Sequence, residues 1–257
     1  MNNLIKLDFK RALKSKNFYI ALTITILLMF IALYPLLEWK QEYDYVNAWF
    51  RCIGAGTAYI TLLFPLIVAI PYSSIVATER KNFFLRYSFI RTNKKNYLLS
   101  KAIVNSICGG LVLFIPSIIL LIICTKIFGN PLNFIDELSS YNEPFSFILK
   151  NNPVLYMFSY SLWMFFQGMI WSTVCFAISL ITNNILIITS APFLYSIISS
   201  FILSIFRLEA FTASASFSPY LMSNSTIITI LAQPIFLTIF IFCITVYYKK
   251  ATEESYD

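Results

Sequence analysis

Residues 102–128 read AIVNSICGGLVLFIPSIILLIICTKIF, twenty-seven positions with one charged side chain, Lys126. A helix of about 20 apolar residues crosses the ~30 Å hydrocarbon core of a bilayer. The run is continuous rather than alternating, so its pattern predicts a spanning helix and not a strand. Five further runs of this kind lie at 18–37, 52–77, 154–181, 185–206 and 226–248. Of the 257 residues 58% are apolar and only 12% charged, whereas a soluble domain carries about a quarter charged. The expected fold is therefore all-α: a polytopic membrane protein with six transmembrane helices. Prolines fall in or at the edge of most runs (Pro35, Pro65, Pro71, Pro153, Pro192, Pro234). Kinked helices are expected there, because neighbouring helices can satisfy the freed carbonyls. The linkers 38–51, 129–153 and 207–225 are too short for independent domains, so 1–257 reads as one membrane domain. The three-residue connection 182–184 makes runs four and five a tight helical hairpin.

The charges orient the chain. Of its 19 Lys and Arg residues, only Lys40, Arg51, Lys126, Lys150 and Arg207 fall on one side of the expected spans. The other fourteen lie in segments 2–17 and 78–101 and in the tail, and short loops rich in Lys and Arg stay cytoplasmic. Both termini are then expected on the cytoplasmic side of the cell membrane. A long basic stretch ahead of run one, with no small-x-small site after it, favours an uncleaved first span. The net charge of +7 follows from this placement, with attraction to anionic headgroups as a consequence. It does not point to nucleic acid.

Catalytic parts are missing from the pattern. The chain has no histidine, the commonest general base and metal ligand. Its five cysteines (52, 108, 124, 175, 243) are odd in number, without CxxC spacing, and read as small apolar residues. No Asp or Glu falls inside a run, whereas ion-coupled transporters usually carry carboxylates at membrane depth. No G-x-x-x-x-G-K-[ST] loop is present. The chain is expected to be no enzyme by itself, with no metal and no cofactor of its own.

Two segments outside the runs are amphipathic. In 2–17, Ile5, Phe9, Ala12 and Leu13 share one helical face flanked by Lys6, Lys10, Arg11 and Lys14, the pattern of an interfacial helix. In 78–101, Phe83, Phe84, Tyr87 and Ile90 share a face among Glu79, Arg80, Lys81 and Arg86. This stripe either rests on the membrane surface or docks into a partner's groove.

A basic amphipathic N-terminal helix, a Glu79-Arg80-Lys81 segment after run two, and Tyr97-Leu98-Leu99-Ser100-Lys101 opening run three resemble the permease subunits of type-2 ABC exporters. The likeness is to small bacterial ones of the bacteriocin-immunity and peptide-export kind. It implies a connecting helix at 2–17 and a coupling helix over 79–91 that seats in a separate cytoplasmic ATPase, where ATP and Mg would bind. The ATPase contact would then fall on Glu79, Arg80, Phe83, Phe84, Arg86 and Tyr87, with a smaller contact at 182–184. A second copy or a paralogue would complete the dimer, with runs two and five lining the path. Short helices dipping back into the outer leaflet would occupy 207–225, where 210–218 is small and polar. Gln167 in run four and Gln233 in run six are candidates for the substrate path, although amides at that depth also serve as interhelical glue. Gly54, Gly56, Gly109 and Gly110 would allow close packing. The implied function is export of an amphipathic peptide or lipid-like compound. The alternative is a non-transporting immunity or sensor protein that binds a peptide or regulatory partner.

Overall fold

The computed structural model describes residues 2–54, 59–85, 92–129, 146–219 and 226–253. Apart from an isolated bridge pairing Asp44 with Gly129, regular structure among them is helical. Helix α1 (Asn2–Lys14) stops at Ser15. The Ser15 hydroxyl donates to the Ala12 carbonyl and accepts from the Phe18 amide, so one side chain closes α1 and opens α2 (Lys16–Glu38). Three short helices follow: α3 (Tyr45–Ile53), α4 (Ile60–Ile67) and α5 (Ile75–Lys81). Asn93 caps the long α6 (Lys94–Ile127) by accepting from the Lys95 amide. After α7 (Ser146–Asn151), Asn152 and Pro153 start α8 (Pro153–Ile181), and proline suits the first helical position because its missing N–H would be unpaired there. Asn184 caps α9 (Ile185–Ile205). A 3₁₀ turn (Glu209–Phe211), α10 (Ala213–Phe217) and α11 (Ile227–Glu253) complete the order.

Among the described residues five helices are long and apolar enough to cross a membrane: α2, α6, α8, α9 and Ile227–Lys249 of α11. This is the architecture of a multi-pass helical membrane protein. Run 52–77 departs from expectation. It is not one continuous helix but the end of α3, then α4, then turns over 68–74, then α5. Pro65 and Pro71 each remove a donor and crowd the preceding turn. The Ala69 and Ile70 amides instead reach back three residues, to Leu66 and Ile67. Irregular backbone at membrane depth is tolerated where protein covers it, and Val68, Ala69, Tyr72 and Ser73 are all buried. Pro65 itself lies inside α4, which ends two residues later, and Pro35, Pro116, Pro192 and Pro234 sit inside the longer α2, α6, α9 and α11 without ending them.

Helices α6 and α8 form the central pair. A Cβ at Gly168 of α8 would lie 2.6 Å from the Gly109 carbonyl oxygen and 2.9 Å from Gly110 Cα, so these glycines permit direct backbone contact. In lipid, where burial between helices gains little from the hydrophobic effect, such packing is a main source of association. A polar lock sits one turn away. Asn105 Nδ2 donates to the Ser172 carbonyl at 2.7 Å, and Ser73 Oγ donates to Asn105 Oδ1 at 3.0 Å. Around this pair, α1, α2 and α3 pack on α6, α9 and α11 pack on α8, and α4 lies against α2 and α9. The core is aromatic: Trp49 and Phe50 meet Tyr160 edge-on, and Phe64 stacks on Phe217.

Candidate functional site

The end of the bundle that carries both termini holds a buried ion cluster. Asp8 comes from α1, Glu79 from the last turn of α5, and Lys101 from the second turn of α6 onward, seven residues in from Lys94. Lys101 is wholly buried, with its Nζ 2.8 Å from Glu79 Oε1 and 3.4 Å from Asp8 Oδ1. The remaining carboxylate oxygens are also met. Tyr97 donates its hydroxyl to Glu79 Oε2 at 2.7 Å, and Ser100 donates to Asp8 Oδ2. Tyr72 donates to Asp8 Oδ1 at 3.3 Å. The Tyr97 and Tyr72 rings stand 4.8 and 5.7 Å from the ammonium, within range of cation–π attraction. Two carboxylates on one ammonium, each hydrogen-bonded, meet the condition under which buried charge is tolerated.

The periodicity explains how α1 and α6 deliver these groups. Asp8 falls three residues after Ile5 and four before Ala12, on the apolar face of α1. Lys101 falls three before Val104 and four after Tyr97, on the buried face of α6. Sequence reasoning missed the cluster by treating Lys101 as loop charge and Glu79 as a surface residue. The usable signal was Asp8, an acid on an apolar helical face, which needs a cation nearby.

The residues expected at the ATPase contact separate into two groups. Glu79 is buried and faces inward, whereas Arg80 is half-buried and hydrogen-bonded within the chain. Arg80 Nη2 donates to the Leu180 carbonyl at 2.7 Å and Nη1 to Asn183 Oδ1 at 3.1 Å. It thus caps the C-terminal end of α8 and joins segment 78–85 to connection 182–184. Phe83 and Phe84 are exposed, 62% and 46%, and neighbouring Leu85 is buried with Val76, Tyr97, Phe176 and Leu180. The helix expected through 79–91 is interrupted: α5 ends at Lys81, and Phe83 has φ of 58°. A bulky residue in this left-handed region is a conformational outlier, of the kind that concentrates at functional sites. Arg86 and Tyr87 lie outside the described residues, as does Gly56.

Gln167 and Gln233, the substrate-path candidates, both turn their amides to the same short segment. Both amides hold segment 209–217. Gln167 Nε2 donates to Ser216 Oγ at 2.9 Å, and Gln233 Nε2 donates to the Phe211 carbonyl at 2.9 Å. Tyr160 and Trp163 add donors to the Phe217 and Ser216 carbonyls, both at 2.9 Å. The segment's own backbone cannot satisfy these groups, because its helices are too short, and the long helices around it do so instead. The arrangement can hold a short polar element inside an apolar bundle.

Among the described residues no group of three or more Cys, Asp and Glu side chains converges to hold a metal ion. Comparison with protein-family models, with curated proteins and with solved structures found no match.

Proposed function

We propose that the chain is the membrane subunit of an ATP-driven exporter, acting with a separate cytoplasmic ATPase and a second permease copy or paralogue. One observation carries this reading. Arg80 ties 78–85 to 182–184, while Glu79 and Lys101 tie the same segment to α1 and α6. The basic segments at one end of the bundle therefore form one unit with the Phe83 and Phe84 rings exposed on it. Such a unit can take a push from a soluble partner and pass it to α1, α6 and α8 together. The charge distribution supports the same reading. The ion cluster lies about 10 Å from the start of α6, at the end of the bundle rather than at the midplane where coupling ions are bound. Energy for transport then comes from outside the chain. Glu79 and Arg80 are positioning residues in this scheme. Phe83 and Phe84, with Arg86 and Tyr87, make the contact. A cargo with a large apolar part, such as an amphipathic peptide, suits the apolar surface. The positive-inside distribution supports a cytoplasmic position for the unit.

The test is affinity purification of the tagged chain from native membranes. An ATPase carrying a phosphate-binding loop is expected to co-purify, and the Phe83→Asp/Phe84→Asp variant should lose it while inserting and melting as the parent does. The reading fails if the parent retains no ATPase, the result expected of an immunity or sensor protein. It also fails if the variant retains the ATPase fully.

A further inference from the structure

A groove of about 320 Å³ runs between α8 and α11 below segment 209–219, walled by Tyr156, Trp163, Phe166, Pro219, Ile230 and Leu231. We propose that it holds one acyl chain of a membrane lipid, from the leaflet on the far side of the bundle from the termini. The inference rests on the membrane architecture and not on the exporter reading.

The walls are chemically dry. Tyr160 also lines the groove, but its hydroxyl is turned to the Phe217 carbonyl, and the Trp163 indole N–H is turned to that of Ser216. The hydroxyl of Ser159, a third lining residue, donates to the Leu155 carbonyl in its own helix. What these side chains show the groove is ring face and methylene. Water needs two or more polar partners to settle in such a space, and the described walls are overwhelmingly apolar. The same apolarity disfavours a headgroup or a charged cargo.

Shape and depth fit a chain. The floor is closed, with Tyr156, Tyr160 and Ile230 buried, while Leu162 and Phe166 on one rim and Ile227 and Leu231 on the other are exposed. The groove is therefore a slot open sideways to lipid. On α8 it extends from Tyr156 to Phe166, ten residues or about 15 Å of helix. That is half of a ~30 Å hydrocarbon core, the reach of a lipid tail in one leaflet. In a bilayer the tails are the solvent at this position, and a void of this size left empty would forfeit van der Waals contact on every wall. A chain seated there lies against Tyr160 and Trp163, the two residues that hold the Ser216 and Phe217 carbonyls. Lipid occupancy would thus steady the 209–219 segment.

The experiment uses the full chain in nanodiscs of phosphatidylcholine doped with a phosphatidylcholine carrying a mid-chain diazirine. After photolysis, labelled peptides are quantified by mass spectrometry. Label per exposed residue should be several-fold higher on 156–166 and 227–231 than on Leu27, Phe30 and Ile31 of α2, which are exposed and outside the expected dimer path. Leu231→Trp, which fills the slot from its rim, should cut groove labelling several-fold and leave α2 labelling unchanged. Equal labelling of groove and α2 in the parent overturns the proposal, and this arm stands even where the variant fails to fold. Unchanged groove labelling in a folded Leu231→Trp protein also overturns it.

Discussion

Replacing Lys101 with methionine removes one buried ammonium and keeps an unbranched side chain only one atom shorter. Its two contacts, 2.8 and 3.4 Å, share one nitrogen, so Glu79 Oε1 and Asp8 Oδ1 can be no further apart than the two distances combined, about 6 Å. At an effective dielectric of about 20, two unit charges at that separation repel by about 2.7 kcal/mol. In the parent this repulsion is outweighed by the shorter attractions to Lys101. In the variant it stands alone, with two carboxylates held away from water. Breaking buried ion pairs by removing one partner costs about 3–5 kcal/mol, in line with the repulsion plus lost hydrogen bonds. For a chain of this size each kcal/mol moves the melting temperature by about 2–4 °C. Lys101→Met should therefore melt roughly 6–20 °C below the parent in detergent, read by intrinsic fluorescence. The triple variant Asp8→Asn/Glu79→Gln/Lys101→Met removes all three charges and should recover most of that loss, since neutral replacement of a whole buried cluster is often tolerated. A single variant within about a degree of the parent would show that the cluster is not an electrostatic tie. A triple variant as unstable as the single would show that packing, not charge, is what Lys101 supplies.

Two further outcomes follow from the packing. Gly168→Ala places a methyl 2.6 Å from the Gly109 carbonyl oxygen and should cost about 1–3 kcal/mol by overpacking, whereas Gly129→Ala, with nothing within 4 Å, should melt with the parent; equal melting of the two variants refutes the close approach of α6 and α8. Gln167→Leu removes the donors to Ser216 and leaves its buried carbonyl with fewer partners, at about 1–3 kcal/mol. Amide exchange over 212–217 should accelerate while exchange in α6 holds, and no change over 212–217 would count against the amide as the segment's anchor.

The chain's own pattern determined that it is helical and apolar, and where most long helices lie. Runs 18–37, 102–128, 154–181, 185–206 and 226–248 correspond to α2, α6, α8, α9 and α11 within a few residues, apart from the early start of α6 at Lys94. Length and hydropathy are local properties, and the caps Ser15, Asn93, Asn152 and Asn184 act within a turn. Tertiary structure decided the rest. Run 52–77 is as apolar as its neighbours, yet α4 ends two residues after Pro65 and turns carry the chain past Pro71, and packing on α2, α6, α8 and α9 covers that broken path. The partners of Lys101 are 22 and 93 residues away in the chain, and those of Gln167 are 49 away. Charge and amide groups in an apolar bundle must find partners wherever the fold brings them, and a linear pattern shows the need without showing which group answers it.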